Sequence, residues 1–439
     1  MPSPPLSICW IRRDLRLEDQ AALAAALQSG NPVLLLFIFD AQILEKLPAQ
    51  DARLSFLHQT LSQIKTQLQS YGSDIWVEKG KPLEVWKKIV AQFKVEKVFV
   101  SRDYEPYALE RDSQIKDFLQ TQGIDFQDFK DQVIFEKSEI TKADGSPYSV
   151  FTPYSKVWKA ALHNPAPDFH FQEKNTEKYF SNFLKIENLP FPSLAELGFI
   201  PTALSFPTAE ISHQTVQKYD QTRDFPHLPQ GTSRLGLHLR FGTISIRRLA
   251  KVAFETNEKF LNELIWREFY MMILYHHPHT QYRAFKKEYD HIAWEKDEAN
   301  FQAWCEGKTG YLLVDAGMRE LNQTGYMHNR VRMVVASFLT KHLLLPWQWG
   351  ERYFAEKLLD FELASNLGGW QWAAGCGCDA APYFRVFNPL EQQKKFDPNL
   401  VYVRKFVPEW NTAAYPKPIV EHKFARERAI ERYKAGLAR

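Results

Sequence analysis

Four short apolar runs, each separated from the next by a helix-length stretch, constrain the first third of the chain more than anything else in it. They are 7-SICWI-11, 33-VLLLFIF-39, 74-DIWV-77 and the run from Val95 to residue 101. Each is too short for a buried helix and rich in β-branched or aromatic residues, so each reads as a strand. Between them lie amphipathic patterns such as 51-DARLSFLHQTLSQIKTQL-68, headed by an aspartate placed to cap a helix. Strands apolar on both faces and alternating with helices imply a parallel, doubly wound sheet in an α/β domain. Ligands of such a sheet sit beyond the carboxyl ends of its strands. The segment after the first run, 10-WIRRDLRLED-19, carries neither a G-x-G-x-x-G nor a Walker A pattern, which weakens a dinucleotide reading there.

At 439 residues the chain exceeds what one core usually serves, so more than one domain is expected. Residues 132–205 change character: 143-ADGSPYSVFTPYSKVW-158 and 189-LPFPS-193 hold Pro, Asp-Gly and scattered aromatics without sustained periodicity. This reads as a connector whose aromatics dock on the domains around it. From 206 onward the patterns are helical. The stretches 258-EKFLNELIWREFYMMILYH-276 and 327-MHNRVRMVVASFLTKHLLL-345 read as long helices ended by Pro278 and Pro346. The expected division is 1–131, an α/β domain; 132–205, the connector; and 206–439, a mainly α-helical domain.

The four cysteines, with only Cys376 and Cys378 close together, match neither a zinc site nor a C-x-x-C redox pair, so no metal is expected. No signal-peptide pattern opens the sequence, and its longest apolar run is far too short to cross a bilayer. A cytoplasmic protein is expected. A net charge of +3 is too small to name a nucleic-acid partner. Twelve tryptophans and an aromatic share of 14% make a flat ligand worth seeking.

Several constellations carry possible chemistry. In 231-GTSRLGLHLRFGTISI-246, hydroxyls and an arginine stand where a helix begins, suiting a phosphate or a plain helix cap. Glu263, Trp266, Arg267 and Tyr270 share one helix face, which serves a planar polar ligand or an ordinary ion-paired surface. In 326-YMHNRVRMVVASF-338, Asn329, Arg330 and Met333 lie on one side, while Arg332 is placed to pair with Asp360 of 360-DFELASN-366. Finally, 365-SNLGGWQWAAGCGCDAAPYFRVFNP-389 sets two tryptophans among small residues, which let something large approach the backbone.

Taken together, 10-WIRRDLRLEDQAAL-23, 219-YDQTRDFP-226, 231-GTSRLG-236, 262-NELIWREFY-270, 307-GKTGYLLVDAGMRELNQTGYMHNRVRM-333 and the 365–389 stretch resemble the DNA photolyase/cryptochrome family. They are most similar to the class I cyclobutane pyrimidine dimer photolyases. The resemblance covers essentially the whole chain, with the motifs in the family's order. It implies an antenna-type α/β domain followed by a helical domain that holds FAD. On the family's pattern Tyr219, Thr232, Ser233, Arg234, Leu235 and Gly236 line the phosphate and ribitol side. Arg267, Arg332, Asp360, Phe361 and Glu362 line the flavin, Asn366 faces its N5, and Glu263 and Asn329 border both cofactor and substrate. Trp370, Trp347 and Trp294 match an electron-transfer chain. Trp266 and Trp372 match the walls of a pocket for a flipped-out lesion, contacted by Glu263, Asn329, Arg330 and Met333, with Arg223 and Arg385 on nearby phosphates. The basic segment 423-KFARERAIERYKAGLAR-439 adds to the electrostatic footprint or is simply a solvated face.

The activity implied is light-driven repair of cyclobutane pyrimidine dimers in damaged DNA by a monomeric enzyme, with electron transfer from excited reduced FAD. Gly236 and Tyr326 depart from the common Ser and Trp. The stretch 103-DYEPYALERD-112, with Thr280 and Gln281, lacks the residues that hold a folate antenna, so the identity of a second chromophore stays open. The alternatives are a cryptochrome blue-light sensor, a (6–4) photolyase, and a light-independent DNA-binding flavoprotein.

Overall fold

A computed structural model describes residues 5–438. Its contacts group into two units, both discontinuous in sequence. The first comprises the chain up to Glu139 with Ala160–Glu210 and Leu235–Val252; the second comprises Ile140–Lys159, Ile211–Arg234 and the chain from Ala253 onward. The expected connector is thus divided, its residues 140–159 belonging to the second unit.

The first unit is built on five parallel strands, β1 (Leu6–Trp10), β2 (Val33–Asp40), β3 (Ile75–Gly80), β4 (Val95–Ser101) and β5 (Asp125–Phe129), in the order β3-β2-β1-β4-β5. The four apolar runs are β1 to β4. All eight residues of β2 are buried, as a central parallel strand covered on both faces requires. The fifth strand, DFQDF, escaped the pattern because it lies at the sheet edge and is only partly covered. Helices Ala21–Leu27, Ala52–Gln69, Pro82–Gln92 and Pro106–Thr121 make the crossovers. Asp51 caps the second by accepting from Arg53 N, and Pro82 and Pro106 open the next two, where no donor is needed. One face of the sheet packs Ile8, Trp10, Leu36 and Val98 against Trp86, Ile115 and Leu119 of the helices.

The motif after β1 is a buried electrostatic knot. Asp131 accepts from Arg16 (2.7 Å), from Arg247 (2.9 Å) and from the backbone of Ala21 (3.0 Å). Arg247 also pairs with Asp19, whose side chain is 2% exposed. Burial pushes the Asp131 carboxyl up, but Arg16 and Arg247 hold it below the ordinary carboxylate range. The charged run in 10–23 is therefore architecture in this unit.

The second unit is helical. Glu258–His276 forms as expected, with Asn257 capping it by accepting from Lys259 N and Phe260 N. The stretch read as one helix over 327–345 is instead the helix Asn329–Ser337, capped by His328, followed by a π-helical turn at Phe338–His342. Residues 151–162, read as irregular connector, form the helix Phe151–Leu162. Its Trp158 is buried and donates from Nε1 to Glu268 Oε2 at 2.6 Å. Helices Trp347–Lys357 and Leu363–Ala374 pack closely at Gly350, where any Cβ would overlap the Trp370 ring.

Candidate functional site

In the second unit, residues distant in sequence converge on Tyr326. Its hydroxyl lies 3.2 Å from Thr232 Oγ1, the Arg234 guanidinium stacks 4.7 Å over its ring, and Arg332 approaches the same ring at 5.7 Å. Arg332 pairs with Asp360 through two contacts of 2.9 and 3.1 Å and donates from Nε to the Met327 carbonyl at 2.7 Å. Burial opposes the charge on Arg332, and Asp360 more than offsets it, so the guanidinium is firmly cationic. The backbone supports this by local rules. His328 caps the Asn329–Ser337 helix, its Nδ1 accepting from Arg330 N at 3.1 Å. Burial, with Arg332 and Arg330 nearby, pushes that imidazole down to about 4, so it is neutral at physiological pH.

Asn366 is buried in the helix Leu363–Ala374, and its Nδ2 donates to the backbone oxygen (3.0 Å) and Oε1 (2.9 Å) of Glu351. Glu362 caps that helix, accepting from Ser365 N at 3.1 Å, and Phe361 beside it is half-buried. Gly368 sits against the ring of Tyr270, where a side chain would not fit, while a Cβ at Gly369 would meet nothing within 4 Å. Leu235 and Gly236 begin the short helix Gly236–Phe241 of the first unit, and Ser233 is half-buried at the end of the preceding segment of the second.

The helix Glu258–His276 carries Glu263, Trp266, Arg267 and Tyr270 on its half-buried side. Glu263 is ion-paired with Arg223, which also lies 5.2 Å over the Tyr219 ring. Burial raises the Glu263 carboxyl above its ordinary value despite the opposing pull of Arg223. Trp266 is stacked face to face with Phe151, centroids 3.8 Å apart and planes 5° from parallel. Arg330 is ion-paired with Asp224 and lies 4.4 Å over Phe396, with Met333 Sδ 3.8 Å from its Nη1; Asn329 is exposed at the first turn. Trp372 meets Phe387, over which the exposed Arg385 also lies.

Trp370 and Trp347 are each 2% exposed, and Trp294 is half-buried. Trp370 packs edge-on against Trp304 (6.0 Å) and Phe354 (5.0 Å), and Trp294 edge-on against Tyr433 (5.8 Å). Cys376 and Cys378 are buried free thiols whose pKa burial pushes up to about 12, far from nucleophilic. Among the described residues, no group of three His, Cys, Asp or Glu could hold a metal ion.

Sequence reasoning missed Glu351, Asp224 and Phe151. Asp224 stands inside the 219–226 motif and was legible as an acid; its partner, 106 residues away, was not.

The donor set suits FAD. Arg234, Arg332 and the Thr232 hydroxyl gather around Tyr326, side chains of the kind that bind phosphate. Asn366 spends its N–H groups on Glu351, and the Asn262 Oδ1 and His328 Nε2 atoms are buried without a protein partner.

The sequence matches the family model described as the FAD binding domain of DNA photolyase over residues 260–414, and that described as DNA photolyase over 7–170. A deoxyribodipyrimidine photo-lyase of Halobacterium salinarum is 37% identical over 97% of this chain and 98% of its own length. The crystal structure of a class III photolyase from Agrobacterium tumefaciens superposes with a TM-score of 0.87 at 32% identity, covering 100% of this chain and 99% of that one. An archaeal photolyase from Sulfolobus tokodaii, solved with two FAD molecules, has a TM-score of 0.80 at 32% identity, covering 98% and 100%.

Proposed function

The chain belongs to the DNA photolyase family, and from that membership we propose that it is a deoxyribodipyrimidine photo-lyase, a flavoprotein lyase that repairs cyclobutane pyrimidine dimers in DNA under blue light. The observation that carries the reading is the convergence on Tyr326 of Thr232, Arg234 and Arg332, the last paired with Asp360, a charged and hydroxylated cradle of the kind FAD requires. Bound, reduced FAD supplies the electron that opens the cyclobutane ring and takes it back afterwards. The protein's work is binding, orientation and electrostatics.

In this reading Tyr219, Thr232, Ser233, Arg234, Leu235 and Gly236 hold the phosphate and ribitol side. Arg267, Arg332, Asp360, Phe361 and Glu362 border the flavin, and Asn366 faces N5 with its amide oriented by Glu351. Trp266 and Trp372 stack on the extruded dimer, Glu263, Asn329, Arg330 and Met333 contact it, and Arg223 and Arg385 hold phosphates. Trp370, Trp347 and Trp294 carry electrons inward to reduce the flavin. The enzyme works as a cytoplasmic monomer; no described helix is long and apolar enough to cross a membrane.

A second chromophore has a place to sit in the first unit. A cavity of about 520 Å³, lined by Gln42, Lys46, Lys81, Tyr107, Glu110 and Arg111, lies where β2 and β3 end and the helix Pro106–Thr121 begins. That is the carboxyl side of the sheet. The test of the main reading is a dimer-containing oligonucleotide, reduced protein and blue light, with a dark control. Repair in light alone supports it; no repair and no preference for the lesion would leave a sensor of the same fold.

A further inference from the structure

The face-to-face contact between Phe151 and Trp266 is the closest and most nearly parallel of the ring pairs around the 258–276 helix. A parallel pair 3.8 Å apart covers one face of the indole, while Phe269 and Tyr270 approach the same ring at 5.6 and 5.4 Å and the indole stays half-buried. Phe151 is itself held firmly. Its backbone N–H donates to Asp379 Oδ2 at 3.1 Å, and its ring edge meets the buried Phe269 at 5.9 Å. The helix it begins is anchored by Trp158 on Glu268 and by Tyr154 against Phe269. Asp379 belongs to the loop that follows the helix bearing Trp372. Phe151 therefore ties the carriers of both tryptophans together.

We propose that Phe151 is a positioning residue for lesion recognition: by stacking on one face of Trp266 it fixes the indole plane on which an extruded pyrimidine dimer stacks. The inference rests on the reading of Trp266 as a pocket wall. A base gains its stacking energy only if the receiving ring is already oriented; an indole free to rotate loses part of that gain to ordering. What matters in Phe151 is a flat face more than apolar bulk.

The experiment compares Phe151→Leu, Phe151→Met and Phe151→Tyr with Trp266→Ala. Affinities for dimer-containing and undamaged oligonucleotides are measured alongside flavin content and flavin photoreduction. Leu and Met keep bulk without the flat face, and each should lower the preference for the dimer roughly 3- to 10-fold, in line with the worth of an aromatic pair. Affinity for undamaged DNA, flavin content and photoreduction should hold, and Tyr should restore the preference. A purely structural role would instead move flavin content and undamaged-DNA binding together. Unchanged preference in Leu and Met, with Trp266→Ala impaired, overturns this inference alone. So does tighter dimer binding, which would mean that Phe151 occupies the place of the base. An unimpaired Trp266→Ala overturns the pocket reading and this inference with it.

Discussion

The amide of Asn366 is held by a single residue: its Nδ2 donates to both the backbone oxygen and the carboxylate of Glu351. With its donors spent in that direction, the amide presents its acceptor oxygen elsewhere, which is what an N–H at the flavin edge would need. Glu351→Ala removes the charged acceptor and leaves only the carbonyl. Unfolding in urea should show a loss of about 1–3 kcal/mol, the usual cost of stripping a partner from a buried polar group. The flavin should still bind, with a shifted reduction potential by spectroelectrochemistry. An unchanged potential would detach Asn366 from the flavin.

Asp224 neutralises one of the arginines assigned to substrate, since Arg330 is paired with it in the protein alone. DNA must compete for that guanidinium. Asp224→Asn should therefore strengthen binding to undamaged duplex, and should steepen its salt dependence by about one released ion, as one more cation becomes available to phosphate. Titrations at several salt concentrations test this; an unaltered slope would place Arg330 away from the phosphates.

Legibility from sequence followed burial. The central strands β1, β2 and β4 announced themselves by largely apolar runs and the edge strand β3 by its apolar start at Ile75–Val77, whereas the other edge strand, β5, is only partly covered and gave no signal. The helix Phe151–Leu162 was masked by Pro147, Pro153 and the hydroxyl residues around them, which read as breakers although Pro153 falls in the first turn, where proline is tolerated. In the site, Arg332 and Asp360 could be paired in advance because both lie in dense motifs. Glu351 sits in unremarked sequence and Phe151 in the stretch read as an irregular connector, and the importance of both comes from what tertiary packing brings beside them.

The knot around Asp131 makes a stability prediction for acid. Its pKa is depressed in the folded protein by Arg16 and Arg247 against the opposing effect of burial. Its contribution is thus present above the ordinary carboxylate range and fades as pH falls through and below about 4. Asp131→Asn should cost about 3–5 kcal/mol at pH 7, because it takes the carboxylate partner from Arg16 and one of the two from buried Arg247. The gap to wild type should narrow in denaturant titrations below pH 4. A constant gap would mean that charge is not the reason for the loss.

Lys341 supplies a slope of the same sign, in the alkaline range. The residue is 1% exposed, and its Nζ donates to the Ala374 carbonyl at 3.0 Å and the Tyr383 carbonyl at 3.4 Å and lies 3.7 Å over the Tyr433 ring. Burial pushes its pKa down to about 7, and the nearby Cys376 offsets this only in part. In the unfolded chain a lysine keeps its proton to about 10.4. Between those two values the unfolded state binds more protons than the folded one, so this group makes the protein more stable as pH rises across the window. Below about pH 7 both states are protonated, and the full cost of burying the charge is present. Lys341→Met keeps the length of the side chain and removes the titration. The stability of wild type relative to Lys341→Met should therefore rise from pH 7 toward pH 10, with a slope approaching about 1.4 kcal/mol per pH unit. Urea unfolding of the two proteins at matched ionic strength reads the difference directly, other titrations cancelling between them. A flat difference would show that the amine keeps its ordinary proton affinity in the fold, held by the two carbonyls and the Tyr433 face.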